Sequence, residues 1–398
     1  MSSEPDTITK IFRNEKDIKS FIIEKYSIIE ENLFVKTIQI DGMTNKNYHI
    51  IFYDIKNPDK KFDVLFRKYG EVLDSSDHVP ELNIMEYFSN KNEGPKVLYS
   101  SEKYRIVEYI NNSSIIPLEL RYDKKILNEV SIILGKYSLI SNILKYTISS
   151  DLQFEFEYST DKDNKEEKYL FPTIFDIYEK MLIKSKEKYN IFNKKFNDHF
   201  NKNELTENIK NMKNKLDNYM NNHRKIFMSL FPKKGLFVLC HNDCQRWNFL
   251  FRNIETNLMI IDHEYASMCL PGLDLCNYMN ENSYYFYDDG KYECKTDEIN
   301  FGFYYEQYLK YYDEFINLNK DRINKDENKE FLEAIKTKKY YINLHSINNI
   351  FWFLFCVINL DFENEFIKKT DHYFQYGYDR ICYSELAQRT IESYENKN

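Results

Sequence analysis

The stretch "HNDCQRWN", His241–Asn248, is followed by "FLFRNIETNLMII" and then by "DHE", Asp262–Glu264. The preceding "GLFVLC" has the composition of a strand, and "FLFRNIETNLMII" reads as a hairpin with its polar turn near Glu255. Asn248 and Asp262 each lie seven residues from Glu255, so folding the hairpin sets their side chains opposite each other, with Asp243 on the loop just before. A pair of oxygen donors at one end of a hairpin suits Mg²⁺, which takes one or two protein oxygens and completes its shell with substrate phosphates and water. Glu264 is an additional ligand or a water-mediated contact, and Gln245 a group that orients the metal shell or a phosphate oxygen.

Asp243 is left over, and phosphoryl transfer from ATP requires such a separate carboxylate to orient the attacking hydroxyl or accept its proton. An Asp, an Asn five positions on and a second Asp beyond a hairpin resemble the catalytic and metal-binding loops of the protein-kinase fold. Asn and Asp also satisfy ordinary turns. The second Asp across the hairpin and a strand-rich segment upstream favour the kinase reading over a mere turn.

Working outward, the 398 residues are 42% hydrophobic and 17% aromatic, enough for a large core or for two lobes sharing a cleft. A formal net charge of −8 argues against a general nucleic-acid binder, which needs unopposed Lys and Arg to displace phosphate counterions. Seven cysteines without CxxC spacing read as reduced thiols, not as a disulfide framework or a zinc site. The N-terminal "MSSEPDTITKIFRNEK" lacks the apolar core of a secretory signal, so a cytoplasmic location is expected. The apolar run "IFWFLFCVI", Ile350–Ile358, falls short of the ~20 residues of a membrane-spanning helix, so it is expected to be a buried element.

"LFVKTIQI", "NYHIIFYDI" and "KFDVLFRKYG" read as successive antiparallel strands. "VPELNIMEYFSNKNEGPK" reads as a helix stopped by Gly94 and Pro95, and "VLYSSEKYRIVEYI" as two strands about a polar turn. From Lys124, the spacing of Ile126, Leu127, Val130, Ile133, Leu134 and Tyr137 predicts an amphipathic helix. The charged run at 159–168 reads as a solvated loop. The expected organisation is α+β: a polar tail at 1–20, an antiparallel-sheet lobe with one helix at 21–110, and a larger, mainly helical lobe at 111–398.

"CHNDCQRWNFL", "IIDHEYAS" and "GLDLCNYMNE", together with "DGMTN", "VLFRKYG", "EGPKVLY" and "YRIVEYI" upstream, resemble the choline and ethanolamine kinase family from about Leu33 to Tyr383. The resemblance implies a two-lobed protein-kinase-like fold with ATP between the lobes and the amino alcohol bound by the helical one. It assigns Gly42, Thr44 and Asn45 to the turn over the phosphates, and Arg67 to a phosphate contact with Glu81 as its acidic partner. Taken alone, Arg67 and Glu81 would be an exposed ion pair worth about 0–1 kcal/mol. Glu108, Tyr109 and Ile110 become the adenine-side hinge, acting through backbone groups. Asp274 reads equally as a helix N-cap and as a brace for the catalytic loop. Arg246, Trp247 and His263 depart from the family pattern.

A quaternary ammonium donates no N–H hydrogen bond, so proteins hold it against aromatic faces and nearby negative charge. Trp352 and Phe355 lie three apart, as do Tyr373 and Tyr376, spacings that share a helical face. By resemblance these four line the amino-alcohol pocket with Tyr265, Phe286 and Glu281. With 34 Tyr and 30 Phe in the chain, packing alone also produces such pairs. Phe355 stands where many choline kinases carry a second Trp, a stronger cation–π partner, which keeps ethanolamine open as the acceptor. The expected activity is ATP- and Mg²⁺-dependent phosphorylation of choline to phosphocholine, which the resemblance places first in phosphatidylcholine synthesis by the CDP-choline route. Ethanolamine is the alternative acceptor; an aminoglycoside or sugar kinase and a catalytically silent binding protein are the rival classes. The resemblance also implies a homodimer.

Overall fold

A computed structural model describes residues 23–28, 30–40, 46–68, 78–101, 104–149, 154–158, 171–200, 206–253, 256–286, 292–294, 301–363 and 373–395. The polar tail at 1–20, Gly42, Thr44, Asn45 and the charged run at 159–168 lie outside them. The chain divides into two compact units, Met1–Ser114 with Phe251–Ile261, and Ile115–Leu250 with Asp262–Asn398.

The first unit is built on a five-stranded antiparallel sheet of β1 (Leu33–Ile40), β2 (Lys46–Asp54), β3 (Asn57–Lys68), β4 (Val97–Ser100) and β5 (Tyr104–Glu108), in the order β1-β2-β3-β5-β4. The period-two spacing of Tyr48, Ile50 and Phe52, of Val64 and Phe66, and of Tyr104 and Ile106 sends all seven to one face, where they form a core with Ile28. Between β3 and β4 runs α1 (His78–Asn90), whose Ile84, Met85 and Phe88 are buried. These elements match the expected strands and single helix.

The second unit contains α2 (Lys124–Tyr137), β6 (Leu144–Ile148), β7 (Phe154–Tyr158), α3 (Ile174–Phe200), α4 (Glu207–Ser229), β8 (Lys234–Cys240), β11 (Ser267–Cys269), α5 (Leu273–Glu281), α6 (Phe301–Leu318), α7 (Lys338–Ile358) and α8 (Tyr373–Glu395); between β8 and β11 the chain forms β9 (Phe249–Asn253), most of which belongs to the first unit, and β10 (Thr256–Ile260), all of which does. Asp123 caps α2 by accepting from the backbone N–H groups of Lys125 and Ile126, and Leu127, Val130, Ile133, Leu134 and Tyr137 form its buried stripe. The sequence reading missed β6 and β7, short runs lying between a helical pattern and a charged loop. They extend a second sheet, ordered β11-β8-β6-β7, in which Leu144 pairs with Phe237 and Cys240 with Ser267.

The run at Ile350–Ile358 is the last part of the 21-residue α7, longer than the sequence reading allowed. Its mean hydropathy of 1.3 over an 18-residue window meets the criterion for crossing a membrane, but 89% of that window is buried within the protein. The apolar surface of α7 is therefore used in packing, chiefly against α8 and α3. All seven cysteines are free, and five are buried.

The turn from β11 into α5 depends on Gly272, which has φ +89°. A Cβ there would lie 2.5 Å from Tyr308 Cε2, so a side chain would meet both a disfavoured backbone conformation and an occupied space. Gly272→Ala is expected to destabilise the protein by about 2–4 kcal/mol in urea unfolding; an unchanged midpoint would show that the turn has room to relax.

Candidate active site

Because Cys240 at the end of β8 pairs with Ser267 at the start of β11, the loop leaving one strand begins beside the loop entering the other. The Asn242 side-chain amide joins them, donating to the Tyr265 carbonyl at 2.9 Å and to Ser267 Oγ at 2.7 Å. Asn242 and Asp262 both have left-handed backbones, φ 65° and 68°, which Asn and Asp adopt more readily than most residues. These two tight reversals are anchored on adjacent strands, β8 and β11.

Asp243 is buried, and its Oδ2 accepts from Asn248 Nδ2 at 2.9 Å and from Gln245 Nε2 at 3.2 Å. Asn248 Nδ2 also donates to the Asp243 carbonyl at 2.9 Å, so the amide nitrogen of Asn248 is committed to Asp243. That leaves Asn248 Oδ1 as the end able to face a cation. Burial pushes the Asp243 carboxyl well above the usual carboxylate range; the charges of Asp262, Glu281 and Glu264, in that order, raise it further, while the Asn248 hydrogen bond opposes them. Among the described residues no group of three or more His, Cys, Asp or Glu side chains is gathered as a metal site, so the oxygen donors open to a cation such as magnesium reduce to Asn248 Oδ1 and the Asp262 carboxylate.

Asp274, Asn277 and Glu281 recur at three and four along α5 and so share one helical face. Asp274 does not cap the helix, since the N-cap is Gly272. Instead its Oδ2 accepts from the His241 N–H at 2.7 Å and its Oδ1 from the Asn242 N–H at 2.8 Å, the bracing role. Burial raises its carboxyl to about 6, against those two backbone donors and Cys244, which pull the other way. Asn277 Oδ1 accepts the Cys244 N–H. The sequence reading missed Asn277, although its position three residues after Asp274 was the available signal.

The residues that depart from the family pattern have structural partners. His263 is buried, with Nδ1 2.5 Å from the Tyr137 hydroxyl and its ring edge-on to His241. Half-buried Arg246 stacks on exposed Trp247 and donates to the Ile116 carbonyl at 3.2 Å.

The expected aromatic residues form two groups. In the first, Trp352 and Phe355 on α7 have ring centroids 5.3 Å apart, Tyr265 meets both edge-on at 5.3 and 6.5 Å, and Tyr373 lies 6.1 Å from Phe355. In the second, Tyr376 packs edge-on to Tyr284 at 4.9 Å and donates to Glu281 Oε2 at 3.4 Å. Arg380, fully buried, donates to Glu281 Oε1 at 2.5 Å. Arg380 and Tyr284 were not anticipated; the spacing of four between Tyr376 and Arg380 on α8 was the usable clue. The Phe286 backbone ends a short strand, and its side chain lies outside the described residues.

Within the first unit, Arg67 and Glu81 are not the exposed pair the sequence reading allowed. Both are buried, and Glu81 lies closer to Arg105, at 2.7 Å, than to Arg67, at 3.8 Å. Arg67 and Arg105 stand opposite each other on β3 and β5, so two like charges share one face and require a carboxylate between them. At the expected hinge, the Glu108 N–H bonds to the Lys96 carbonyl and the Ile110 carbonyl accepts from Ser113 Oγ, which commits two of the backbone groups assigned to adenine. The Tyr109 ring stacks on His49 at 3.6 Å.

The chain matches the choline/ethanolamine kinase family over residues 35–384. No curated protein sequence matches it. Among solved structures it is similar to choline kinase from Cryptosporidium parvum Iowa II, with 17% identity and a TM-score of 0.60 over 96% of this chain and 97% of that one. It also aligns with an ethanolamine kinase from Plasmodium vivax, at 16% identity and a TM-score of 0.49 over 96% and 95% of the two chains. The first of these likenesses extends the family's fold to this chain, α+β with antiparallel sheet in the N-terminal part and a helical C-terminal part. On the family match across most of its length, the chain belongs to the choline/ethanolamine kinase family.

Proposed function

We propose that this chain transfers the terminal phosphoryl group of ATP to the hydroxyl of choline, with ethanolamine as the alternative acceptor. The observation that carries this reading is the position of Tyr265. Its carbonyl is tied to the catalytic loop through Asn242, its hydroxyl lies in the fields of Glu264, Asp243 and Asp262, and its ring packs against Trp352 and Phe355. One residue therefore links the carboxylates needed for phosphoryl transfer to an aromatic group suited to an alkylated ammonium.

In this mechanism Asn248 and Gln245 hold Asp243 Oδ2, leaving Oδ1 to meet the acceptor hydroxyl. Asp243 orients that oxygen and takes its proton as the new bond to phosphorus forms and the bond to the ADP oxygen breaks. Magnesium, when bound by Asn248 Oδ1 and Asp262 with Glu264 beside them, supplies positive charge against the phosphate oxygens. Arg67 and Arg105, balanced in part by Glu81, are cationic groups of the first unit suited to restraining phosphates, and the Glu108–Ile110 segment is assigned to adenine. Asp274 touches no reactant in this scheme and acts by fixing the backbone before Asp243. A homodimer completes the proposal, on the family resemblance alone.

Asp243→Asn is expected to lower kcat with choline by about 10²–10⁴-fold while leaving the KM for ATP nearly unchanged; normal turnover would contradict the assignment. Asp274→Asn keeps the size of the side chain but offers only one oxygen to two N–H donors, so kcat should fall together with about 1–3 kcal/mol of stability. Because the folded-state pKa of Asp274 is raised to about 6, the folded protein holds its proton more tightly than the unfolded chain, and this residue's contribution to stability is lost as pH rises from about 4 to 6. Thermal unfolding of both proteins across that range should show a gap that narrows as pH rises; a gap independent of pH would contradict the linkage.

A further inference from the structure

A fully buried guanidinium stands among groups assigned to a cationic headgroup. Arg380 lies 4.4 Å from the ring centroid of Tyr284 and 4.7 Å from that of Tyr376, and donates to the Tyr376 hydroxyl as well as to Glu281. Its Nη1 reaches Asn349 Oδ1 at 3.3 Å, so Arg380 is tied to α7 as well as to α5. Glu281 Oε1 also accepts from Asn277 Nδ2 at 3.5 Å, while Oε2 accepts from Tyr376. Both carboxylate oxygens of Glu281 are thus engaged by the protein, and its charge is matched by a cation on α8. Glu281 and Tyr284 nonetheless line, with Gln245, Arg246, Trp247, Asn282 and Leu118, a small pocket of about 20 Å³ beside the catalytic loop.

We infer that Arg380 is a specificity-determining residue: by occupying Glu281, it disfavours headgroups that need a hydrogen-bond acceptor and favours those that do not. This deepens the proposed function and rests on it. A primary ammonium brings three N–H donors whose lost hydration must be replaced, and the most strongly placed carboxylate oxygen is already bonded to Arg380. A quaternary ammonium has no such donors and loses little by this arrangement, since the faces of Trp352, Phe355 and Tyr265 suffice for it. Discrimination therefore arises by withholding an acceptor from the smaller amine.

The test compares kcat/KM for choline and ethanolamine in the wild type, Arg380→Met and Glu281→Gln, with circular dichroism as the check on folding. The wild type should favour choline. Arg380→Met leaves Oε1 with only the long 3.5 Å contact from Asn277 and opens it to a charge-assisted hydrogen bond, so the ethanolamine-to-choline ratio should rise about ten-fold or more with the KM for ATP unchanged. Glu281→Gln leaves Arg380 without its counter-charge, so KM should rise about ten-fold or more for both amines together. A wild-type preference for ethanolamine, or a folded Arg380→Met protein with an unchanged ratio, overturns the inference. If Arg380→Met does not fold, an unchanged KM for both amines in Glu281→Gln overturns it. A wild type active on both amines but indifferent to Arg380 removes this inference alone; one active on neither removes the proposed function beneath it.

Discussion

The site depends on the two hydrogen bonds that Asp274 accepts from the backbone N–H groups of His241 and Asn242. They lie between the last residue of β8 and Asp243, on a stretch where Asn242 adopts a left-handed conformation. A loop is the least ordered kind of backbone, and a catalytic carboxylate placed on one must be fixed from outside. Here α5 does so with one row of side chains: Asp274 on the start of the loop, Asn277 on Cys244 and Glu281 beside the cavity. Gly272 sets the entry of that helix, so the geometry around Asp243 follows from a turn nearly a full helix length away from Glu281.

Electrostatics within the second unit point the same way. Burial pushes the Asp243 carboxyl up, and the charges of half-buried Asp262, Glu281 and Glu264 push it further. Such repulsion is costly unless cations offset it. Arg380 offsets Glu281 from within the protein. The proposed magnesium would offset Asp262 and Glu264, and the proposed ammonium substrate would add positive charge among the same carboxylates. Acidic clustering and cationic reactants are then two halves of one balance.

Much of this was legible in the sequence because it rested on local rules. β-branched and aromatic composition between turn-forming stretches marked β1, β2 and β3, and the three-and-four rhythm marked α2. Contacts between distant segments were not legible. Nothing local shows that Arg105 lies opposite Arg67, because strand register decides it, and so Arg105 is absent from the sequence reading that pairs Arg67 with Glu81. Arg380 was hidden for a similar reason: its partners Glu281 and Asn349 lie on other helices, and sequence spacing joins it only to Tyr376. The strands β6 and β7 went unseen because their five-residue runs carry too little pattern next to a long helix and a charged loop.

The central claim is that an amino-alcohol hydroxyl, oriented by Asp243, receives the phosphoryl group of ATP. Phosphorus NMR on the purified chain with ATP, magnesium and choline tests it most directly, because it identifies the acceptor as well as the consumption of nucleotide. The account predicts one phosphomonoester of choline for each ADP formed. Release of inorganic phosphate in place of that ester, or ATP left intact with choline and with ethanolamine alike, would contradict it.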